Sequence, residues 1–207
     1  MIHLYTWKTS NGRKASIMLE ELGVPYEVHP INIGADEQFA PDFLKISPNN
    51  RIPAIVDTDG PGGEPLRLFE SGAILIYLAD KFKSPLIPTD ARARITVIQW
   101  LMWQMGGVGP MFGQAHHFNQ FAKEDVPYAK KRYTDEARRL YGVMNKRLGE
   151  SEYLGGPDYT IADIATFPWT VRYEWQGMDL SDVPNVKRWF DAISARPAVQ
   201  TGLEIPA

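Results

Sequence analysis

The chain has 207 residues with 22 basic and 25 acidic side chains, a net charge of −3, and no cysteine. That length buries a sizeable core over one or two domains, and a balanced charge with no dense basic run excludes a protein that tracks a nucleic-acid backbone. Lacking cysteine, these residues form no disulfide and no Cys-X-X-Cys pair, so any thiol chemistry must use a thiol brought in from outside.

Ile2–Thr6 alternates like a strand and begins directly after Met1, and no apolar run reaches about 18 residues. Neither a signal peptide nor a membrane span is expected, and the cytoplasm is the expected compartment. Gly12 to Gly23 carries Ala15, Ile17, Met18, Leu19 and Leu22 at helical spacing and closes at Gly23. Between strand and helix lies Trp7-Lys8-Thr9-Ser10-Asn11-Gly12. Thr, Ser and Asn suit any helix N-terminus, yet the same hydroxyl, amide and helix-start N–H groups also stabilise an anion, including a thiolate.

A second strand at Tyr26–Asn32 and a short helical stretch at Glu37–Leu44 follow. Pro53 then opens the apolar run Ala54-Ile55-Val56, and a turn cluster from Asp57 to Pro65 leads to Leu66-Arg67-Leu68-Phe69, an antiparallel hairpin. Glu70-Ser71-Gly72 stands directly before an apolar helix. Ser71 reads either as a plain N-cap or as part of a site where unpaired helix-start N–H groups meet a carboxylate.

The two-proline stretch Lys81–Asp90 marks a boundary, and beyond it only helices are expected, near 91–121, 126–149, 160–175 and 184–195. Residues 1–86 hold 8 basic and 11 acidic side chains and residues 87–207 hold 14 of each, so neither half is a charged tail. Gly106-Gly107-Val108-Gly109-Pro110 predicts a kink, because Pro110 cannot donate to the Gly106 carbonyl. The glycine face at Gly106, Gly109 and Gly113 suits helix packing or a pocket wall. His116 and His117 point to different sides of a helix, so no metal site is expected from them. Thr160 and Asp163 have capping-box spacing.

The segments LYTWKTSNG, SPNNRIPAIVD, FESGAILIYLAD, IQWLMWQMGGVGPMFGQ, NKRL and YTIADIA resemble the glutathione transferase family over nearly the whole chain, with most likeness to its bacterial Nu class and yeast prion-related branch. The resemblance implies an α/β thioredoxin-like domain over residues 1–86 and an all-α helical-bundle domain over 87–207, and it agrees with the element order. It implies that Pro53 is cis and lets the Ile52 backbone pair with the cysteinyl part of glutathione. Glu70 and Ser71 then take the γ-glutamyl end, and Gln38, Arg51 and Ile52 contact the glycyl end or backbone. Thr9 and Asn11, rather than Tyr5, would face the sulfur. Arg132 either reaches across a homodimer interface to a carboxylate or is a solvated surface charge. The implied activity is glutathione-dependent thiol–disulfide exchange on small disulfides, with conjugation of hydrophobic electrophiles or non-catalytic binding as alternatives. Glutathione is the implied co-substrate, and no metal is expected.

Overall fold

The computed structural model describes Met1–Ala207, which divide into two compact units, Met1–Ser84 with Ala195–Ala207, and Pro85–Ser194. The first begins with β1 (Ile2–Thr6), α1 (Ser10–Leu22), β2 (Tyr26–Pro30) and α2 (Pro41–Leu44), and continues with β3 (Ala54–Asp57), β4 (Leu66–Phe69) and α3 (Ser71–Lys81). The sheet order is β2-β1-β3-β4, with β1 parallel to β2 and the other pairs antiparallel, which is the thioredoxin-like α/β arrangement. Ile2 and Leu4 of β1, Ile17 to Leu19 of α1, and Ile74, Leu75 and Leu78 of α3 form its core. Gly23 ends α1 at φ 62°, and its N–H bonds back to Leu19 and Glu20. Buried Asp57 accepts from Tyr77 Oη at 2.5 Å and pairs with Lys81 Nζ at 2.7 Å, fastening α3 to β3.

Register decides where the site can be. Tyr5 of β1 faces Ala54 of β3, and Ala54 faces Phe69 of β4. The C-terminal ends of β1 and β4 and the N-terminal end of β3 therefore meet at one edge of the sheet. The α1 start, the Ile52–Pro53 bond and the α3 start all lie just beyond that edge.

The second unit is all helical: α4 (Ala91–Trp103), α5 (Gly109–His116), α6 (Pro127–Glu150), α7 (Ile161–Thr170) and α8 (Pro184–Ser194). The predicted kink between α4 and α5 is a π turn over Gln104–Val108, where the Gly109 N–H reaches the Gln104 carbonyl five residues back. A widened turn accommodates Pro110, which has no N–H to give. A Cβ placed on Gly113 would sit 3.2 Å from the Trp169 ring, so this glycine serves the packing of α5 on α7.

The helix expected over 160–175 stops at Thr170, and Tyr173–Gln176 form a 3-10 turn. Thr160 and Asp163 do form the capping box. The Asp163 carboxylate is fully buried and accepts from Leu154 N at 3.0 Å, Thr160 N at 3.0 Å and Trp189 Nε1 at 2.8 Å, holding α8 and the loop before α7 together. Burial nevertheless pushes that carboxyl up to about 6, against the pull of those bonds. No helix is long and apolar enough to cross a membrane.

One element departs from the domain division expected at residue 87. Helix α9 (Pro197–Glu204) packs on α1 in the first unit. Ser16 Oγ donates to the Gly202 carbonyl at 2.6 Å, Arg13 Nε donates to the Leu203 carbonyl at 3.1 Å, and Arg196 grips Glu21 through two bonds of 2.6 and 2.7 Å. All these contacts span more than 170 residues, which local sequence pattern does not encode.

Candidate functional site

At the sheet edge, Thr9, Asn11, Ile33, Gln38, Asn50, Arg51 and Ile52 line one cavity of about 350 Å³. Five residues predicted from sequence, Thr9, Asn11, Gln38, Arg51 and Ile52, thus meet in one place. Thr9 is the N-cap of α1, and its Oγ1 accepts from the Gly12 N–H at 3.1 Å. Accepting there leaves the hydroxyl's own proton to donate. Gly12 is required because a Cβ at that position would collide with the Trp7 carbonyl.

Gln38 is 7% exposed and carries an unsatisfied acceptor. Its Nε2 donates to Asp36 Oδ1 at 3.4 Å, whereas its Oε1 is buried without a hydrogen-bond partner. A buried amide oxygen left unpaired costs about 1–3 kcal/mol, a deficit that a donor entering the cavity would remove. Ser47 Oγ donates to the Arg51 carbonyl at 2.8 Å and shapes the loop above it, and Asn50 holds φ 49° in that loop. The Ile52–Pro53 bond is cis, as the resemblance implied. Ile52 stands outside the β1–β3 ladder, which starts at Ala54, so its main chain lies at an open end of the sheet.

Glu70 and Ser71 start α3, beside Pro53 across the β3–β4 pair. Glu70 is exposed at φ 72°, a left-handed conformation seldom taken by a residue with a side chain, and its carbonyl accepts the Ile74 N–H at 2.9 Å. Ser71 is buried, and its hydroxyl is held by Lys14 Nζ at 3.3 Å. Sequence reasoning missed Lys14. It lies on α1 at helical spacing from Ile17 and Met18 and is 1% exposed. Burial pulls its ammonium down to about 7, while the Glu70 charge opposes that pull. A lysine on an apolar helix face was the available signal. Ser71 stands in the first turn of α3, where the helix N-terminus suits a carboxylate. Asn50 and Ile33 were also missed, and only the fold brings them to the cavity.

Arg132 is on α6 in the other unit, beside the Tyr133 ring at 6.0 Å, and with Tyr128, Lys131, Glu136 and Arg139 it lines a surface hollow of about 660 Å³. It is not part of the first-unit cavity. Tyr5 stacks on His29, with ring centroids 4.6 Å apart, and does not line the cavity either.

A thioredoxin-like unit in which the α1 start and an open main-chain edge line one cavity, with the α3 start at the same end of the sheet but outside that cavity's lining, followed by an all-helical unit, defines the class of two-domain thioredoxin-like proteins. Residues 1–80 match the family model "Glutathione S-transferase, N-terminal domain", and residues 105–197 match "Glutathione S-transferase, C-terminal domain". The chain belongs to the glutathione S-transferase family. It is 50% identical over 204 residues to "Disulfide-bond oxidoreductase YfcG" of Escherichia coli, covering 98% of this chain and 94% of that protein. A glutathione transferase family member from Pseudomonas fluorescens, solved with two glutathione bound, is 52% identical with a TM-score of 0.94, covering 99% of this chain and 93% of that one. A glutathione transferase from Pseudomonas putida, solved with one glutathione disulfide bound per subunit, is 45% identical with a TM-score of 0.94, covering 100% and 92%.

Proposed function

We propose that this protein reduces small disulfides with glutathione, bound at the sheet edge of the first unit. The observation that carries the reading is the cavity in which the α1 start, the open main chain at Ile52 and the unpaired Gln38 oxygen converge. Glutathione supplies an N–H donor for the unpaired Gln38 oxygen, a backbone partner for Ile52 and a thiolate for the α1 start, and its γ-glutamyl carboxylate lies at the α3 start beside Ser71. Glu70 faces the opposite need and takes the α-ammonium of the γ-glutamyl group. The names and bound groups of the relatives, a disulfide-bond oxidoreductase and a structure holding glutathione disulfide, favour exchange over conjugation.

The 207 residues contain no cysteine, so the attacking sulfur is that of glutathione. Thr9 and Asn11, with the N–H groups of α1, favour the thiolate over the thiol. That thiolate attacks the substrate disulfide, forming a glutathione–substrate mixed disulfide and expelling one substrate thiolate, which takes up a proton. A second glutathione thiolate then attacks the mixed disulfide, releasing the other substrate thiol and forming glutathione disulfide. Two glutathione thiols are oxidised for each disulfide reduced.

The same reading has the protein act as a homodimer. Its support is an apolar groove of about 780 Å³ on the first unit, lined by Pro61, Leu66, Leu68, Ala73, Ile76 and Tyr77 among others. In this reading Arg132 meets a ligand carboxylate of the partner subunit.

Hydroxyethyl disulfide with glutathione is the test. Turnover well above the uncatalysed rate is expected, with no covalent protein adduct by mass spectrometry. Conjugation of electrophiles without disulfide turnover would reject the reading, and glutathione binding without any turnover would leave a binding protein.

A further inference from the structure

We propose that His3, Glu27 and His29 form a binding site for a divalent transition-metal ion of the zinc type, on the sheet and separate from the glutathione cavity. The parallel register sets His3 of β1 beside Glu27 of β2 and Tyr5 beside His29. Alternation along each strand puts these four residues on the same face. None of them lines the cavity that holds Thr9 and Gln38.

The distances suit the coordination of such an ion. His3 Nδ1 lies 3.0 Å from His29 Nε2, and the Glu27 carboxylate straddles the pair, with Oε2 at 3.3 Å from His3 and Oε1 at 3.5 Å from His29. One ligand atom from each residue fits within a 4.8 Å span. Zinc–nitrogen and zinc–carboxylate bonds of about 2.0–2.2 Å in a tetrahedron require ligand atoms about 3.3–3.5 Å apart. A cation inserted between the rings has to open the nitrogen pair by only a few tenths of an ångström. Two imidazoles and one carboxylate are the three-ligand set that leaves the fourth position for water or an outside ligand.

The metal-free state is less complete. Two imidazole nitrogens facing each other at 3.0 Å can hold one proton between them, one ring donating and the other accepting. A metal ion makes both nitrogens acceptors at once and neutralises the adjacent carboxylate, and the shared proton moves to the outer nitrogen of the same ring. The rings are also fixed in advance. Tyr5 stacks on His29 at 4.6 Å and 14°, and Phe43 backs Tyr5 at 6.3 Å. Side-chain exposures of 25% for His3, 33% for His29 and 58% for Glu27 leave a way in for an ion.

The composition makes the site readable in solution. The chain has no cysteine and four histidines, and one of the remaining two, His116, is buried against Gln176 at 2.8 Å. Zinc chloride titrated calorimetrically into glutathione-free protein should bind one ion per chain, in a buffer that does not chelate. His3→Gln and His29→Gln should each weaken that binding by at least tenfold. Imidazole 15N shifts of His3 and His29, and of neither other histidine, should move on titration. Glu27→Gln, at an exposed position, keeps the shape and removes the charge, and it should weaken zinc several-fold with unchanged circular dichroism. No binding at millimolar zinc, or equal binding by wild type and Glu27→Gln with unmoved His3 and His29 resonances, would overturn the site. Glutathione binding by these variants should be unchanged, which separates this outcome from the fate of the disulfide-reductase reading.

Discussion

At the residue scale, Thr9 caps α1 with its oxygen and retains a proton to give, so removing the side chain has two separable effects. Thr9→Ala should cost about 1 kcal/mol of stability through the lost cap. It should also reduce kcat about tenfold or more, with a smaller change in KM for glutathione, since a hydrogen bond to a charged group is worth about 1.5–3 kcal/mol and the thiolate is the reacting form. Thr9→Ser keeps both functions and should retain most of each. Steady-state kinetics and thermal melts of the pair check this. A Thr9→Ala variant of full activity alongside an inactive Tyr5→Phe would move the role to Tyr5.

His116 offers a pH prediction. Burial, and then the Arg172 charge, pull its pKa from 6.5 down to about 4. The ring is neutral in the fold, with Nε2 2.8 Å from the Gln176 amide nitrogen and its face stacked on Trp169 at 5.6 Å. Between pH 4 and 6.5 the unfolded chain holds more protons at this position than the folded one, so its contribution to stability falls as pH drops through that window. Urea unfolding at steps from pH 7 to 4 should show a shallower acid loss for His116→Gln than for wild type. Parallel pH dependences would remove His116 from the acid limb. Comparison with the variant also cancels Asp163, whose raised pKa acts in the opposite direction.

At the element scale, α1 holds the site on one side and α9 supports it on the other. A Cβ on Gly202 would meet the Ile17 Cα at 2.6 Å, and backbone cannot rotate out of the way as a side chain can. Gly202→Ala should therefore destabilise the protein by about 1–3 kcal/mol despite its better helix propensity. Gly142 in α6 is exposed and has nothing within 4 Å of such a Cβ, so Gly142→Ala should stabilise by about 0.5–1 kcal/mol. Denaturant midpoints of the two variants should move in opposite directions. Glycine spacing alone ranks them equally, and only the distance to the neighbouring helix separates them.

At the scale of the whole molecule, the homodimer reading has a direct measurement. Light scattering should return twice the chain mass of 23.4 kDa, and Ile76→Glu, which puts a charge in the apolar groove of the first unit, should shift the mass toward one chain. A wild-type mass of 23.4 kDa at micromolar concentration would end the dimer reading.

Local chemistry determined much of this protein from its sequence. The alternation of Ile2–Thr6, the helical spacing ended by Gly23, the hairpin from Ala54 to Phe69 and the Thr160–Asp163 capping box rest on neighbours a few residues apart, and each is present in the structure. Of the residues at the cavity, Thr9 and Asn11 were legible for the same reason, since they open a helix, whereas Gln38, Arg51 and Ile52 rested on the family resemblance and Ile33 and Asn50 were not read from sequence. Tertiary structure decided what depends on distant partners. Helix α9 joins the first unit because Gly202 lets it approach Ile17, and Lys14 is buried because Ser71, 57 residues on, receives its ammonium. His3 meets His29 only when β1 and β2 pair in parallel, with a register that no local pattern states. Burial and register are sums over chain segments remote in sequence, and they exist only once the sheet has formed.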